Sequence, residues 1–388
     1  MKNSKGGFAT IYIVITLASI MMALLVIIEV AEGFGCKSLA TTITTSAGES
    51  VLGEYNVALY KRYGIFAVRR FEDELSKEAA HYINGSSVVT KGLLRLKLDT
   101  VDVYTDRYPA LDVDGLSKQI IKLAPEALLK DLGSIGDSGG VGLGSDGTDG
   151  IGESRTSGMG SNSTGFGGVK IPGVSHELRS INTASLPSKL LGYSSIESVL
   201  FSGGIAELNP SKLIEDEYIL AVCSNKQETS SKTYLAYETE YILFGNQSDT
   251  LNLASLRRSI YAIRYAKRLA DAQPLPADPL IAGAILAAIA AQAEVDVNVI
   301  VEGGEVDGLN YQGYLRLFLS LLSKDEKLAR LMDIMQININ YVDGVFFAFS
   351  NYAYGFDMIA KFNKRVIVPF TWGSPQRDGI IEQTHVYK

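Results

Sequence analysis

The apolar positions at the start of the chain form one unbroken run. Phe8 to Ile28 are 21 consecutive residues without a charged side chain, and Lys2 and Lys5 precede them. About 20 apolar residues rising 1.5 Å each span a hydrocarbon core of about 30 Å. The pattern predicts a transmembrane helix at 8–28 behind a basic leader at 1–7. Because basic residues favour the cytoplasmic side, the leader is expected inside the cell and the bulk of the chain outside.

A second apolar pattern continues past this segment. Apolar side chains recur at every fourth position at Leu39, Ile43, Ala47, Val51, Tyr55 and Leu59. This spacing predicts one long or kinked helix from about 8 to 62, roughly 80 Å if straight. Gly33 and Gly35 could bend or break its path, because glycine weakens helix interiors. The alternative is an anchor helix followed by a separate amphipathic helix.

The rest of the chain is predicted to be mainly helical with a small sheet, which makes the fold class α+β. Apolar periodicity predicts helices at 72–83, 116–132, 211–224, 251–272, 279–293 and 311–339. Alternating or β-rich runs predict strands at 94–104, 234–244, 345–354 and 366–372. The run at 279–293 carries no charge, but its 15 residues are short for a membrane span, so it is expected as a buried helix.

Composition changes sharply at 133–169, where 14 of 37 residues are glycine and most of the others are Ser, Thr or Asp. Such a segment buries too little apolar surface to offset the entropy of ordering. It is predicted to be a flexible linker between a helix-rich stalk and first α/β part at 29–132 and an extracytoplasmic α+β domain at 170–388. Calcium binding by its Gly/Asp-rich sequence and a phosphate loop are the alternatives, but it lacks a nine-residue repeat and a Gly-Lys-Ser/Thr ending.

Three interpretations of the N-terminus remain open. A cleaved signal peptide usually has a shorter apolar region. A lipoprotein signal would use Cys36, but Gly33-Phe34-Gly35 before it lacks the expected aliphatic residue. The third is a retained anchor, whose Lys5-Gly6-Gly7-Phe8 resembles a prepilin leader and implies cleavage between Gly7 and Phe8. Tyr12 stands where pilins usually carry a glutamate.

The net charge and the number of cysteines argue against two classes of protein, nucleic-acid-binding proteins and small disulfide-rich proteins. The chain has 36 basic and 43 acidic residues, a formal charge of −7. Without Lys2 and Lys5 the outer part is more acidic still, which argues against nucleic-acid binding. Cys36 and Cys223 are too few for a disulfide framework, and either one bond between them or two thiols would fit.

We find no motif of a known catalytic or cofactor site, so the chain is expected not to be an enzyme and to hold no cofactor or metal. His-Glu-x-x-His and Cys-x-x-Cys are both missing from the sequence. His81, His176 and His385 are far apart in sequence. The acidic pairs Glu215-Asp216 and Asp325-Glu326 are expected on solvated helix faces.

Two glutamates next to an arginine-rich helix are the candidate structural ion-pair residues. Glu238 and Glu240 lie in the predicted strand at 234–244, and Arg257, Arg258 and Arg264 lie in the helix after it. We expect these arginines to pair with the glutamates and to join strand to helix.

Several blocks together resemble an uncharacterised family of single-anchor surface proteins that occur with tight-adherence pilus systems of Gram-positive bacteria. The blocks are 47–56, 63–66, 237–245, 252–264, 314–319 and 330–338. The resemblance implies a structural or accessory, minor pilin-like role, with other pilin-like or pilus-assembly proteins as partners and the lipid bilayer contacted through 8–28. A permanently anchored adhesin or sensor, and a cell-envelope enzyme with an unrecognised site, are the alternatives.

Overall fold

The fold is α+β, as predicted, with long helices and little sheet. A computed structural model describes residues 5–86, 96–122, 210–230, 232–364 and 378–386. The predicted linker at 133–169 and the predicted strand at 366–372 lie outside these residues. The chain divides into two compact units. The first comprises 1–55, 67–109 and 353–387, and the second comprises 56–66 and 110–352.

This division differs from a single outer domain at 170–388, because the C-terminal strands belong to the unit that contains the N-terminal helix. In that unit β2 (Leu96–Tyr104), β4 (Gly355–Lys364) and β5 (Asp378–Val386) form an antiparallel sheet in the order β2-β4-β5. Leu96 lies opposite Lys364 and Gly355 opposite Val386. Pairing of β4 and β5 with β2 therefore brings segments that are far apart in sequence into one unit.

Helix α1 runs from Lys5 to Leu52 without interruption, so Gly33 and Gly35 do not end it. In its last third, Ile43, Ala47 and Val51 of the predicted four-residue stripe are buried, Leu39 is half-buried, and Ala40 beside it is buried. They contact apolar side chains of α3 (Glu72–Gly85), β2 and β4, including Ile83 and Met358. The predicted continuation to residue 62 is a separate helix, α2 (Val57–Tyr63), whose N-cap Asn56 accepts a hydrogen bond from Leu59 N at 2.9 Å.

The second unit is helical. Besides α2 it contains α4 (113–122), α5 (Pro210–Val222), α6 (Glu238–Phe244), α7 (Asp249–Asp271), α8 (Pro279–Val301), α9 (Tyr311–Leu321) and α10 (Lys324–Tyr341). Among these, α10 is the most enclosed, with every residue from Glu326 to Ile339 buried. Such a helix has no solvent face, so its apolar and polar side chains alike meet other helices.

The predicted strand at 234–244 is wrong: residues 238–244 form α6. All six residues from Glu238 to Leu243 are buried, so the segment has no polar face that would show a helical period. Its end is marked by Gly245, at φ 69°, whose N–H bonds to the carbonyl of Tyr241. A glycine in the left-handed conformation often follows the last turn of a helix. Gly245 therefore indicated a helix in the sequence, although the loosely alternating pattern before it favoured a strand.

The predicted helix at 311–339 is two helices, α9 and α10. Leu322 takes an extended conformation, and the Ser323 side chain accepts a hydrogen bond from the backbone N–H of Glu326. Ser-x-x-Glu is the sequence of a capping box, which starts a new helix inside an otherwise continuous apolar pattern. The predicted strand at 345–354 is also mostly irregular. It contains a 3-10 turn at Phe349–Asn351 and the short strand β3 (Tyr352–Ala353), which pairs with β1 (Val68–Arg69).

Candidate functional site

The first half of α1 is an apolar surface that nothing in the described residues covers. From Thr10 to Ile28 its side chains are exposed almost throughout, with Met22 74% and Tyr12 71% accessible. The helix is long and apolar enough to cross a membrane, which makes it a candidate membrane anchor. Predicted cleavage residues Gly7 and Phe8 lie within this helix, in its first turn.

Two hydroxyl side chains in this apolar half form hydrogen bonds to backbone carbonyls of the same helix. Thr16 Oγ1 donates to the carbonyl of Tyr12 at 2.6 Å, and Ser19 Oγ donates to the carbonyl of Ile15 at 2.9 Å. A hydroxyl bonded to the preceding turn does not need water. The segment is therefore compatible with lipid or with the apolar helices of another protein, where unsatisfied donors are costly.

A polar groove of about 520 Å³ lies beside the packed half of α1. Thr42, Ser46 and Ser50 of α1 line one side, and His81 and Tyr82 of α3 line the other. Hydroxyls and an imidazole can donate and accept hydrogen bonds, and none of the described residues that line the groove has a carboxylate or ammonium group. His81 is thus placed in a groove, while His176 lies outside the described residues and His385 lies in β5.

The predicted ion pairs between the two glutamates and the three arginines are replaced by other contacts. Arg257 and Arg264 pair with acidic residues of α8 and of the following loop, and Arg258 is exposed with no ion pair among the described residues. The reason is helical geometry. The buried glutamates lie in α6, where they accept hydrogen bonds from backbone N–H groups and neutral side chains.

Glu238 lies in a neutral hydrogen-bond site between helices. Its Oε2 accepts from Ser224 N at 2.9 Å, and its Oε1 accepts from Asn338 Nδ2 at 2.6 Å. The same Asn338 amide donates to the hydroxyl of Tyr63 at 2.8 Å. Burial raises the pKa of Glu238 from 4.5 to about 7, although these two donors act in the opposite direction. Burial also raises the pKa of the nearby Cys223 thiol.

Glu240 is the second buried carboxylate of α6. Its Oε1 accepts hydrogen bonds from Lys226 N, at 3.0 Å, and from the hydroxyl of Tyr311. Burial raises its pKa, and the Tyr311 hydroxyl partly offsets that effect. Glu240 therefore ties α6 to the loop after α5 and to the start of α9.

Arg264 is the centre of a charge network that joins α7, α8 and the loop at 303–310. Its side chain is 1% exposed and lies 3.0 Å from Asp296 Oδ2 and 2.8 Å from Asp307 Oδ2. Arg268 and Lys267 complete the network on Asp296 and Asp307 respectively. Hydrogen bonds from Lys267 and Arg264 lower the pKa of Asp307 to about 2. The basic side of this helix is thus partly buried at Arg264, which is ion-paired with Asp296 and Asp307.

The acidic pairs expected on solvated faces are largely buried. Glu215 and Asp216 are 1% and 2% exposed and both contact Lys327, which is completely buried. Glu326 is buried as well and pairs with Arg330 one turn later at 2.8 Å. The sequence of α5 alone could not show that these two carboxylates are buried. A carboxylate is rarely buried unless another element supplies its partner.

Sequence reasoning missed several residues of these sites. Asn338 is buried, and its side-chain oxygen also accepts a hydrogen bond from Tyr234 N at 2.8 Å. The hydroxyls of Tyr63 and Tyr311 form hydrogen bonds inside the polar clusters. For Asn338 the available signal was a polar side chain between two apolar ones, in Ile337-Asn338-Ile339.

Helix α8 is longer and less covered than predicted. It extends to Val301 and buries one side through Ile289, Ala293, Val297 and Ile300, but Leu280 is 85% exposed. It is the second described helix long and apolar enough to cross a membrane. Its buried Asp296, paired with two arginines, is a feature of a packed helix.

Among the described residues, no three His, Cys, Asp or Glu side chains are arranged to hold a metal ion. Both cysteines are buried thiols without a disulfide bond. The hydrogen bonds and ion pairs of the clusters described above connect one helix to another and so help to hold the helices together.

No curated protein and no solved structure matches this chain. A protein-family model does match it, in two segments at 174–270 and 286–364. These segments include the blocks at 237–245, 252–264, 314–319 and 330–338, and they include α6, α7 and α10 with most of the buried polar clusters. The blocks at 47–56 and 63–66 lie outside the match. Over these segments the chain is similar to DUF5702, a family of unknown function.

Proposed function

We propose that this chain is a structural or accessory subunit, minor pilin-like, of a tight-adherence pilus or a related secretion assembly at the cell surface. In this proposal residues 8–28 hold the subunit in the membrane with the N-terminus inside and both folded units outside. During assembly the apolar half of α1 would pass from lipid to the helices of neighbouring subunits.

The observation that carries the proposal is the two-part character of α1. One continuous helix of 48 residues packs its last third into a folded unit, while its first half has no partner in the described chain. Burying that much apolar surface is favourable at roughly 25 cal/mol per Å². A helix that is packed into a folded unit at one end and apolar at the other can anchor the chain in lipid. The same apolar end can pack against helices of other subunits during assembly.

The internal hydroxyl bonds of the anchor support the same proposal. With Thr16 and Ser19 bonded to preceding carbonyls, the segment presents few unsatisfied polar groups to either environment. Its lack of charge between Phe8 and Ile28 makes transfer between lipid and an apolar helix bundle cheap in electrostatic terms.

The first test is the N-terminal residue of the protein extracted from membranes of its own cells. Phe8 as the first residue is expected for a pilin-like subunit. An intact Met1 would favour a permanently anchored adhesin or sensor.

The second test is helix association. Cysteine placed at Ile20, in the exposed apolar half, is expected to form disulfide-linked complexes with copies or other subunits under a mild oxidant. Cysteine at Glu49, exposed on the packed half, is the matched control. The natural cysteines are buried and should react slowly. A monomer at both positions, in cells that assemble the surface structure, would contradict incorporation.

A further inference from the structure

Lys327, near the start of α10, is buried between two adjacent carboxylates of α5. Its Nζ lies 2.6 Å from Asp216 Oδ1 and 3.0 Å from Glu215 Oε2. None of the three side chains is more than 3% exposed. This is a lysine amine and two carboxyl groups held in contact and shielded from water.

The geometry is fixed from three directions. Ser117 Oγ, from α4, donates to Glu215 Oε1 at 2.6 Å, so one oxygen of that carboxylate is anchored while the other faces Nζ. Asp216 and Glu215 are neighbours on α5, and Lys327 reaches them from α10. Well-oriented groups in one molecule can react with effective concentrations on the order of 10⁵ M or more.

Condensation needs the amine form of Lys327 and the acid form of Asp216, and these differ from the ion pair by the transfer of one proton between Nζ and Oδ1, which are 2.6 Å apart. Each buried ion carries a large desolvation penalty. Formation of an uncharged amide would remove two buried ions from the interior.

We propose that Lys327 and Asp216 condense to an intramolecular isopeptide bond, with Glu215 as the proton carrier. The Nζ lone pair attacks Cγ of the protonated Asp216, and the Nζ–Cγ bond forms. Glu215 Oε2 accepts a proton from the nitrogen and delivers it to the departing hydroxyl, so one Cγ–O bond breaks and one water leaves. No oxidant, reductant or external co-reactant is required.

Asp216 is assigned as the carboxyl group that is attacked, because its oxygen is nearer to Lys327 Nζ than that of Glu215 is. The hydrogen bond from Ser117 holds Glu215 in place to act as the base. The bond would close a loop of 111 residues by covalent means. Closing a long loop restricts the unfolded chain and so stabilises the folded unit. This inference does not depend on the proposed function, since it concerns the interior of the helical unit.

The test is mass spectrometry on the full chain, extracted in detergent and with its N-terminal residue determined. The expected intact mass is below the sequence mass by one water molecule. Tryptic digestion under denaturing conditions should leave Lys327 uncut and give a branched peptide containing Asp216 and Lys327. An intact mass without loss of water, with both residues in separate linear peptides, would overturn the proposal.

Three variants sharpen the assignment. Lys327→Arg should lose the branched peptide completely, because a guanidinium is a poor nucleophile. Glu215→Gln keeps both bonding residues and should slow the cross-link on the order of 100-fold. Lys324→Arg is the matched control, three residues away and paired with Asp114, and should keep the bond. Undiminished cross-linking in Glu215→Gln would refute the role of Glu215. Circular dichroism checks folding, and the wild-type digest decides the bond even if a variant fails to fold.

Discussion

Asn338 donates a hydrogen bond to Glu238 across 2.6 Å, and this contact joins the last turn of α10 to the first turn of α6. The two residues are 100 positions apart in sequence. Both lie within the family match, and both are buried. The matched region thus contains interior polar contacts between helices, which fits a segment whose sequence is constrained by packing.

The first prediction concerns the pH dependence of stability through Glu238. Its pKa is about 7 in the folded chain and near 4.5 when exposed, so the folded state holds a proton that the unfolded state releases between these values. Stability contributed by this group is therefore present below about pH 4.5 and lost as pH rises towards 7. At about 1.4 kcal/mol per pKa unit the change is on the order of 3 kcal/mol.

Melting temperature measured from pH 5 to pH 8 should fall more steeply in the wild type than in Glu238→Gln, which cannot titrate. Glu305→Gln, at an exposed position, is the control and should keep the wild-type slope. Equal slopes in wild type and Glu238→Gln would show that this carboxyl does not titrate in that range.

The second prediction separates two arginines of α7. Arg264→Met removes one of the two cations that pair with buried Asp296 and leaves Arg268 as its one arginine partner among the described residues, so we expect a loss of about 3–5 kcal/mol in unfolding free energy. Arg258→Met should stay within about 0.5 kcal/mol, since that side chain is exposed. Chemical denaturation measures both. Equal losses would contradict the central position of Arg264.

The third prediction concerns Glu240 and Tyr311. Glu240→Ala removes the acceptor for Lys226 N and for the Tyr311 hydroxyl, leaving buried donors unsatisfied at about 1–3 kcal/mol each. Tyr311→Phe should cost less, on the order of 1 kcal/mol, because it removes one bond. Tyr265→Phe, at a half-buried position on α7, is the control with little effect expected. Unchanged thermal stability and expression in Glu240→Ala would contradict the structural role of this carboxylate.

The fourth prediction concerns the anchor. Ile20→Arg places a charge in the middle of the apolar half of α1, at a cost of about 2.5–3.5 kcal/mol for membrane insertion. The fraction of protein that resists alkaline carbonate extraction should fall clearly. Glu49→Arg, on the packed half of the same helix, should remain in the membrane fraction. Full retention of Ile20→Arg would show that this segment is not what holds the chain in the membrane.

Local patterns predicted much of the secondary structure. The helices at 72–83, 211–224 and 251–272 are present within a few residues, as is the strand at 94–104. Each of these elements has one apolar face, so its apolar residues recur every 3.6 positions in a helix or every 2 positions in a strand. The errors at 234–244 and 311–339 arose where burial on all sides removed the period, or where a Ser323 cap interrupted it.

The sequence by itself determined the apolar opening helix, the mainly helical character of the chain and the apolar stripe from Leu39 to Val51, because each depends on neighbours within a few positions. Only the tertiary structure decided that Arg264 pairs with Asp296, that Lys327 meets Glu215 and Asp216, and that β4 joins β2. A buried charge selects its partner by distance in space, and residues 100 positions apart become neighbours only after the helices and strands have packed.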